Sequence, residues 1–253
     1  MKKYFLWFIL IACLNTGLSA AELTVAVASN FKPVLQVLAV DFKTVTGYDL
    51  SISSASSGKL FAQIMQGAPF DVFLSADEKR ADLLISNNIA SAASAYVYAI
   101  GKLVLITNIT TSSHCMDVLH MPGLRYLAIA NPKIAPYGLA AKQVLESHKL
   151  WRRLQPRLVQ AENILQAFQF VSTGNADAGF VSRSILDMAL LKKGHLIQFA
   201  CVWDVPVEFY SPINQKMVVL NKAKNKRAVQ TFARYMKSQR AKEIIINTGY
   251  DVL

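Results

Sequence analysis

Short apolar stretches alternate with amphipathic ones along nearly the whole chain, and that alternation restricts the fold more than any other feature. Strand-like runs rich in β-branched and apolar residues fall at 23–28, 49–53, 72–75, 103–107, 126–130, 178–181 and 217–220. Helical periodicity fills the intervals at 33–45, 59–66, 78–87, 139–147, 164–173, 184–193 and 226–237, with a last helix near 241–247. Gly47, Gly67 and Gly174 each stand just past one of these helices, where a left-handed residue closes the last turn. Strand–helix alternation of this kind predicts parallel sheets in an α/β fold.

The turns that lead into four of the helices share a character. Ser29-Asn30 precedes the helix opening near Pro33, and Ser56-Ser57-Gly58 precedes the one at Lys59. Pro136-Tyr137-Gly138 leads to Leu139, and Glu162-Asn163 leads to Ile164. In an open α/β sheet, ligands bind outside the carboxyl ends of the strands. Helix N-termini there present unpaired N–H groups and the positive end of the dipole, which suits an anion. Any one of these turns taken alone is better explained as a cap serving its own helix. Four together raise the expectation of a shared anionic target.

Composition and local pattern set the compartment and remove several function classes. Of the 253 residues, 53% are hydrophobic, enough for a substantial core. Lys2 and Lys3 precede an apolar run at 4–14, and small residues follow at Gly17, Ser19, Ala20 and Ala21. A charged start, a short apolar run and a small-residue end predict an export signal over 1–21. Eleven apolar residues fall short of the roughly 20 that span a bilayer. Cleavage after Ala21 leaves 232 residues starting at Glu22; loss of Lys2 and Lys3 lowers the net charge from +11 to +9. Leu10-Ile11-Ala12-Cys13 offers a second reading, a lipoprotein site with Cys13 as the anchored residue. After export, Cys115 and Cys201 either form a disulfide or stay separate buried thiols.

The histidines, His114, His120, His148 and His195, make no zinc spacing with the cysteines, so no metal site is expected. The basic residues are dispersed, as at Arg152, Arg153 and Arg157 or at Lys222, Lys224, Lys226 and Arg227, with no nucleic-acid motif. They read as a solvated surface that steers anions weakly. No G-x-S-x-G elbow occurs, and none of the four turns carries a histidine to activate a serine, so no catalytic residue and no enzyme is expected. Asp71 and Asp77 read as cap or turn residues.

Several blocks together match one family. They are VAVASNF at 25–31, SSASSGKLFAQIMQGAPFDVFLSAD at 53–77, ANPKIAPYGLAAKQVL at 130–145, LWRRLQPRLVQAENI at 150–164 and DAGFVSRS at 177–184. With these the chain resembles the periplasmic molybdate-binding proteins that serve ABC transporters; GAPFDVFLSAD is the most specific block. The resemblance implies a type II periplasmic binding protein, with two α/β lobes and a ligand cleft between them. It implies chain crossovers near 101–102 and 210–212, hence one lobe of 22–101 plus 212–253 and a second of 102–211.

The resemblance also implies a ligand set. Contacts fall on Asn30 with Ser29 beside it, on Ser57, on the main-chain N–H of Ala76, on Tyr137, and on the main chain of Ile164. Some members carry tyrosine at the position of Ser182; serine here leaves that contact open, with Tyr137 as the alternative phenol. The implied ligand is molybdate or tungstate, with no cofactor and no metal beyond the oxyanion; another tetrahedral oxyanion such as sulfate is the alternative. The implied partner is the membrane permease of a molybdate ABC transporter, and the implied state is a periplasmic monomer. The donor chemistry agrees. A tetrahedral dianion offers acceptors only, so a carboxylate in the site would repel it, and bonds to an ionised partner are the stronger kind. Neutral donors also avoid burying a cation when the ligand is away. Choice against sulfate then rests on cavity size.

Overall fold

The apolar runs become the inner strands of two sheets. The computed structural model describes residues 22–111, 113–193 and 198–253. In chain order the first elements are β1 (Glu22–Ala28), α1 (Lys32–Thr46), β2 (Asp49–Ala55), α2 (Ser57–Met65), β3 (Val72–Leu74), α3 (Glu78–Ser86) and β4 (Tyr96–Gly101). Next come β5 (Leu103–Thr107), β6 (Leu127–Ala130), α4 (Pro136–Ser147), α5 (Trp151–Leu154), β7 (Leu158–Ala161), α6 (Ile164–Ser172), β8 (Ala178–Ser182), α7 (Arg183–Lys193) and β9 (Cys201–Asp204). The last are β10 (Ile213–Val219), α8 (Lys226–Met236) and α9 (Gln239–Ile246).

The strand order is β2-β1-β3-β10-β4 in one sheet and β7-β6-β8-β5-β9 in the other. The chain leaves the first sheet between β4 and β5 and returns between β9 and β10. One strand of each sheet runs against its neighbours: β10 pairs antiparallel with β3 and β4, and β5 with β8 and β9. The parallel sheets read from strand–helix alternation are therefore mixed, because β5 and β10 follow direct crossings instead of right-handed helical returns.

Both faces of the first sheet are covered, which is why its central strands are almost continuously apolar. Leu23, Val25 and Val27 of β1 pack with Leu35, Leu38 and Phe42 of α1 and Phe232 of α8. Ala26 faces the other way, onto Leu60 and Ile64 of α2 and Leu84 of α3. In the second sheet, residues 103–106 and 127–130 are all buried in one cluster with Ala140, Val144 and Leu145 of α4 and Phe168 of α6. Helix α7 follows β8 in the second sheet, yet its Met188 sits in the first sheet's core.

Three short elements carry too weak a pattern to read in advance, β7, β9 and α5, whereas β4 is a plain aromatic and apolar run absent from the strands expected above. Strand β9 alternates between half-buried and exposed residues at a sheet edge, and β7 has four residues. Strand β10 starts four residues before the apolar run at 217–220, because Gln215 is fully buried despite its polarity. Helix α4 opens at Pro136, three residues early; proline suits a first turn, where its missing N–H is unneeded.

Cys115 and Cys201 form a disulfide with Cα atoms 5.6 Å apart, tying the segment after β5 to the edge strand β9. The reading of two separate thiols is thereby set aside. Asp71 accepts the N–H groups of Thr24 (2.8 Å) and Lys224 (2.9 Å), and Asp77 caps α3 by accepting from Arg80 N (2.9 Å). Both are structural. Among the described residues no cluster of His, Cys, Asp or Glu is placed to hold a metal, and no helix is long and apolar enough to cross a membrane. The export signal at 1–21, the Cys13 site and His195 lie outside the described residues.

Candidate anion-binding site

The helices that begin at Lys32, Ser57, Pro136 and Ile164 start from the carboxyl ends of β1, β2, β6 and β7, and their first residues meet at one cavity. Ser29, Asn30, Ser57, Ala76, Tyr137 and Ile164 all line it, with Ala28, Ser56, Ala135 and Pro136. No lining side chain is charged. Each of the six expected contacts is at most 4% exposed. The cavity volume is about 10 Å³, against roughly 300–1,000 Å³ for pockets that take drug-sized ligands. A drug-sized ligand is excluded.

Ser56 and Asn163 do cap their own helices, accepting from Lys59 N (3.4 Å) and Gln166 N (3.1 Å). The groups left over are what make a site. Among the described residues, the main-chain N–H groups of Asn30, Ser57, Tyr137 and Ile164 have no acceptor. A buried donor without a partner costs about 1–3 kcal/mol. Four around one cavity, at the positive ends of four helix dipoles, make a place for negative charge. Ser57 adds a hydroxyl: its Oγ accepts from Ala76 N at 2.9 Å, which leaves its proton free to donate.

Three of the expected contacts also have hydrogen-bond partners within the protein. The Ala76 N–H is spent on Ser57, so Ala76 acts by orienting that hydroxyl. The Asn30 side-chain amide donates to Gln215 Oε1 (2.7 Å) and to the Tyr250 hydroxyl (2.9 Å), so the free donor of Asn30 is its main chain. The Tyr137 hydroxyl accepts from Gln215 Nε2 at 3.2 Å, which keeps its own proton free, and the Tyr137 main-chain N–H is unpaired as well. Ser182 does not line the cavity. Its Oγ accepts from Ile185 N (3.2 Å) and lies 3.2 Å from Ser184 Oγ, as a cap of α7.

Behind the cavity lies a buried polar cluster that no sequence motif announced: Gln215, Tyr98 and Tyr250. Tyr98 donates to Gln215 Oε1 at 3.0 Å, and Tyr250 donates to the Asn30 carbonyl at 3.1 Å. Burial raises the Tyr98 and Tyr137 hydroxyls well above the ordinary tyrosine value and pushes Tyr250 up to about 12. All three are neutral donors at physiological pH.

Contacts between the two sides hold the cavity shut. Gly58 N donates to Ile134 O (2.9 Å), so close that a Cβ on Gly58 would fall 2.9 Å from the Ile134 backbone. Arg80 reaches the Lys133 carbonyl (3.2 Å), and Lys59 pairs with Glu162 (2.9 Å) at the surface.

The chain is similar over nearly its whole length to proteins of one kind. The family model described as bacterial extracellular solute-binding protein matches residues 23–251. The molybdate-binding protein ModA of Azotobacter vinelandii is 39% identical over 95% of this chain and 96% of its own length. The ModA of Rhodobacter capsulatus is 36% identical over 92% and 89%. The solved periplasmic molybdate-binding protein of Azotobacter vinelandii superposes with a TM-score of 0.84 at 38% identity, covering 91% of this chain and 99% of that one. With its two mixed sheets in the type II periplasmic binding protein arrangement, the chain belongs to the bacterial extracellular solute-binding protein family.

Proposed function

We propose that this protein captures molybdate outside the cytoplasm and delivers it to the membrane permease of an ABC importer. The observation that carries the reading is the set of four unpaired N–H groups and the free Ser57 hydroxyl proton around one small uncharged cavity. Donors alone meet a fully deprotonated tetrahedral oxyanion, and no cation has to be buried to hold it. The names of the relatives with 39% and 36% identity supply the choice of molybdate among such anions. Tungstate, with the same charge and shape, binds the same donors.

Each sheet with its helices is read as one lobe, 22–101 plus 212–253 and 102–211, with the anion clamped between them. Both halves of the site come from one chain, so a monomer suffices. Segment 1–21 is read as the export signal that brings the protein to the periplasm. Thermal shift against molybdate, tungstate, sulfate, phosphate and nitrate tests the assignment, since a ligand that binds only the folded state raises the melting temperature. Molybdate and tungstate are expected to give the largest shifts. A larger shift with sulfate or phosphate, or none with any tetrahedral oxyanion, contradicts it.

A further inference from the structure

The Tyr137 hydroxyl sits in a socket supplied by the opposite sheet. Its oxygen accepts from Gln215 Nε2 at 3.2 Å, and a Cβ built on Gly101 would fall 2.1 Å from the same oxygen. Tyr137 belongs to α4, beside the second sheet. Gly101 and Gln215 belong to β4 and β10, which pair in the first. Gly101 needs no unusual backbone angle; what it provides is space for the hydroxyl.

Gln215 is wholly buried, and its other end is fixed on the first-sheet side. Its Oε1 accepts from Asn30 Nδ2 (2.7 Å) and from the Tyr98 hydroxyl (3.0 Å), which points Nε2 at Tyr137. The turn that presents the Asn30 N–H to the cavity and the helix that presents the Tyr137 N–H are thus joined through one carboxamide.

We propose that Gln215 is a positioning residue for anion capture, tying the Asn30 turn to Tyr137 and so holding the two halves of the cavity at their closed spacing, with Gly101 making room for the Tyr137 hydroxyl. The proposal rests on the oxyanion reading above. A contact made only when the two sides meet favours closure over opening. Gln215 does not line the cavity, so its effect appears in how long the anion stays. Satisfied buried networks of this kind fix one geometry.

The test is molybdate association and dissociation rates on the mature chain by stopped-flow fluorescence. Gln215→Leu keeps the bulk and removes all three bonds. It is expected to speed dissociation about tenfold, the effect of losing a hydrogen bond and leaving its partners unpaired, with association nearly unchanged. Gly101→Ala fills the socket with a methyl group 2.1 Å from the Tyr137 hydroxyl oxygen and 3.0 Å from Gln215 Nε2, and is expected to do the same while leaving the Gln215 side chain in place. The double variant Gly101→Ala/Tyr137→Leu is expected to dissociate no faster than Tyr137→Leu alone, because the ring that the methyl group would strike is gone. Dissociation within twofold of wild type in folded Gln215→Leu or Gly101→Ala overturns the proposal, as does full additivity of the double variant. If Gln215→Leu does not fold, the Gly101 pair decides. If the wild type binds no oxyanion, the functional reading fails instead. The socket is then judged by small-angle scattering: a larger radius of gyration for Gly101→Ala supports it and an unchanged one overturns it.

Discussion

Ser57 Oγ accepts the main-chain N–H of Ala76 at 2.9 Å, although the two residues are 19 positions apart and lie on the turns after different strands. One bond thereby satisfies a buried donor and aims the serine proton at the cavity. Ser53, four residues earlier, lies within β2 opposite Ala26.

Ser57→Ala is therefore expected to weaken molybdate binding by about 1.5–3 kcal/mol, the worth of a hydrogen bond to a charged group. Ser53→Ala is expected to change it little. Equal small effects in calorimetry would contradict the placement of Ser57.

Ser182→Ala is expected to leave molybdate affinity within about twofold while costing about 1 kcal/mol of stability, the usual cost of losing a helix cap. Parallel denaturation and binding curves separate the two. An affinity loss as large as that of Ser57→Ala would restore Ser182 to the ligand set.

The buried tyrosines give a pH signature. Tyr250 has its hydroxyl raised from 10.0 to about 12 by burial. A group raised on folding contributes stability that is fully present below its unfolded value and lost as pH climbs through the folded one. Melting temperature should therefore show no loss from this group up to about pH 10 and a fall between 10 and 12. Tyrosinate absorbance from folded Tyr250 should reach its midpoint only near pH 12. A Tyr250→Phe variant whose alkaline melting profile matches the wild type would count against the network.

The Cys115–Cys201 bridge closes a loop with a sequence separation of 86. Replacing both cysteines with alanine should lower stability by about 2–5 kcal/mol in chemical denaturation. No change in the midpoint would show that the bond is absent in the exported protein.

Much of this was legible from sequence, and for definable reasons. Helix starts are local: Ser56, Asp77 and Asn163 each cap the helix that follows, and three-residue patterns record that. Strands buried on both faces, such as β1 and β6, read as apolar runs. What stayed hidden depends on contacts between distant segments. Gln215 bonds Asn30 across 185 positions, and Tyr250 bonds it across 220. Neither glutamine nor tyrosine has a local pattern that distinguishes this role from an exposed one. The same distance effect limits what the turns at Asn30 and Tyr137 show: a turn residue's sequence tells that a donor is present, but its neighbours in space decide which donor remains free. Gly101 likewise gave no sign, since its reason for being glycine is the Tyr137 hydroxyl 36 positions later.

The central claim is that a small tetrahedral oxyanion is held by neutral donors between the two sheets. Calorimetric titration of residues 22–253 with molybdate, tungstate, sulfate and phosphate measures it most directly. The expected result is one saturable site per chain, with molybdate and tungstate bound far more tightly than sulfate or phosphate. Absence of saturable heat with molybdate, or sulfate binding as tightly, would contradict it.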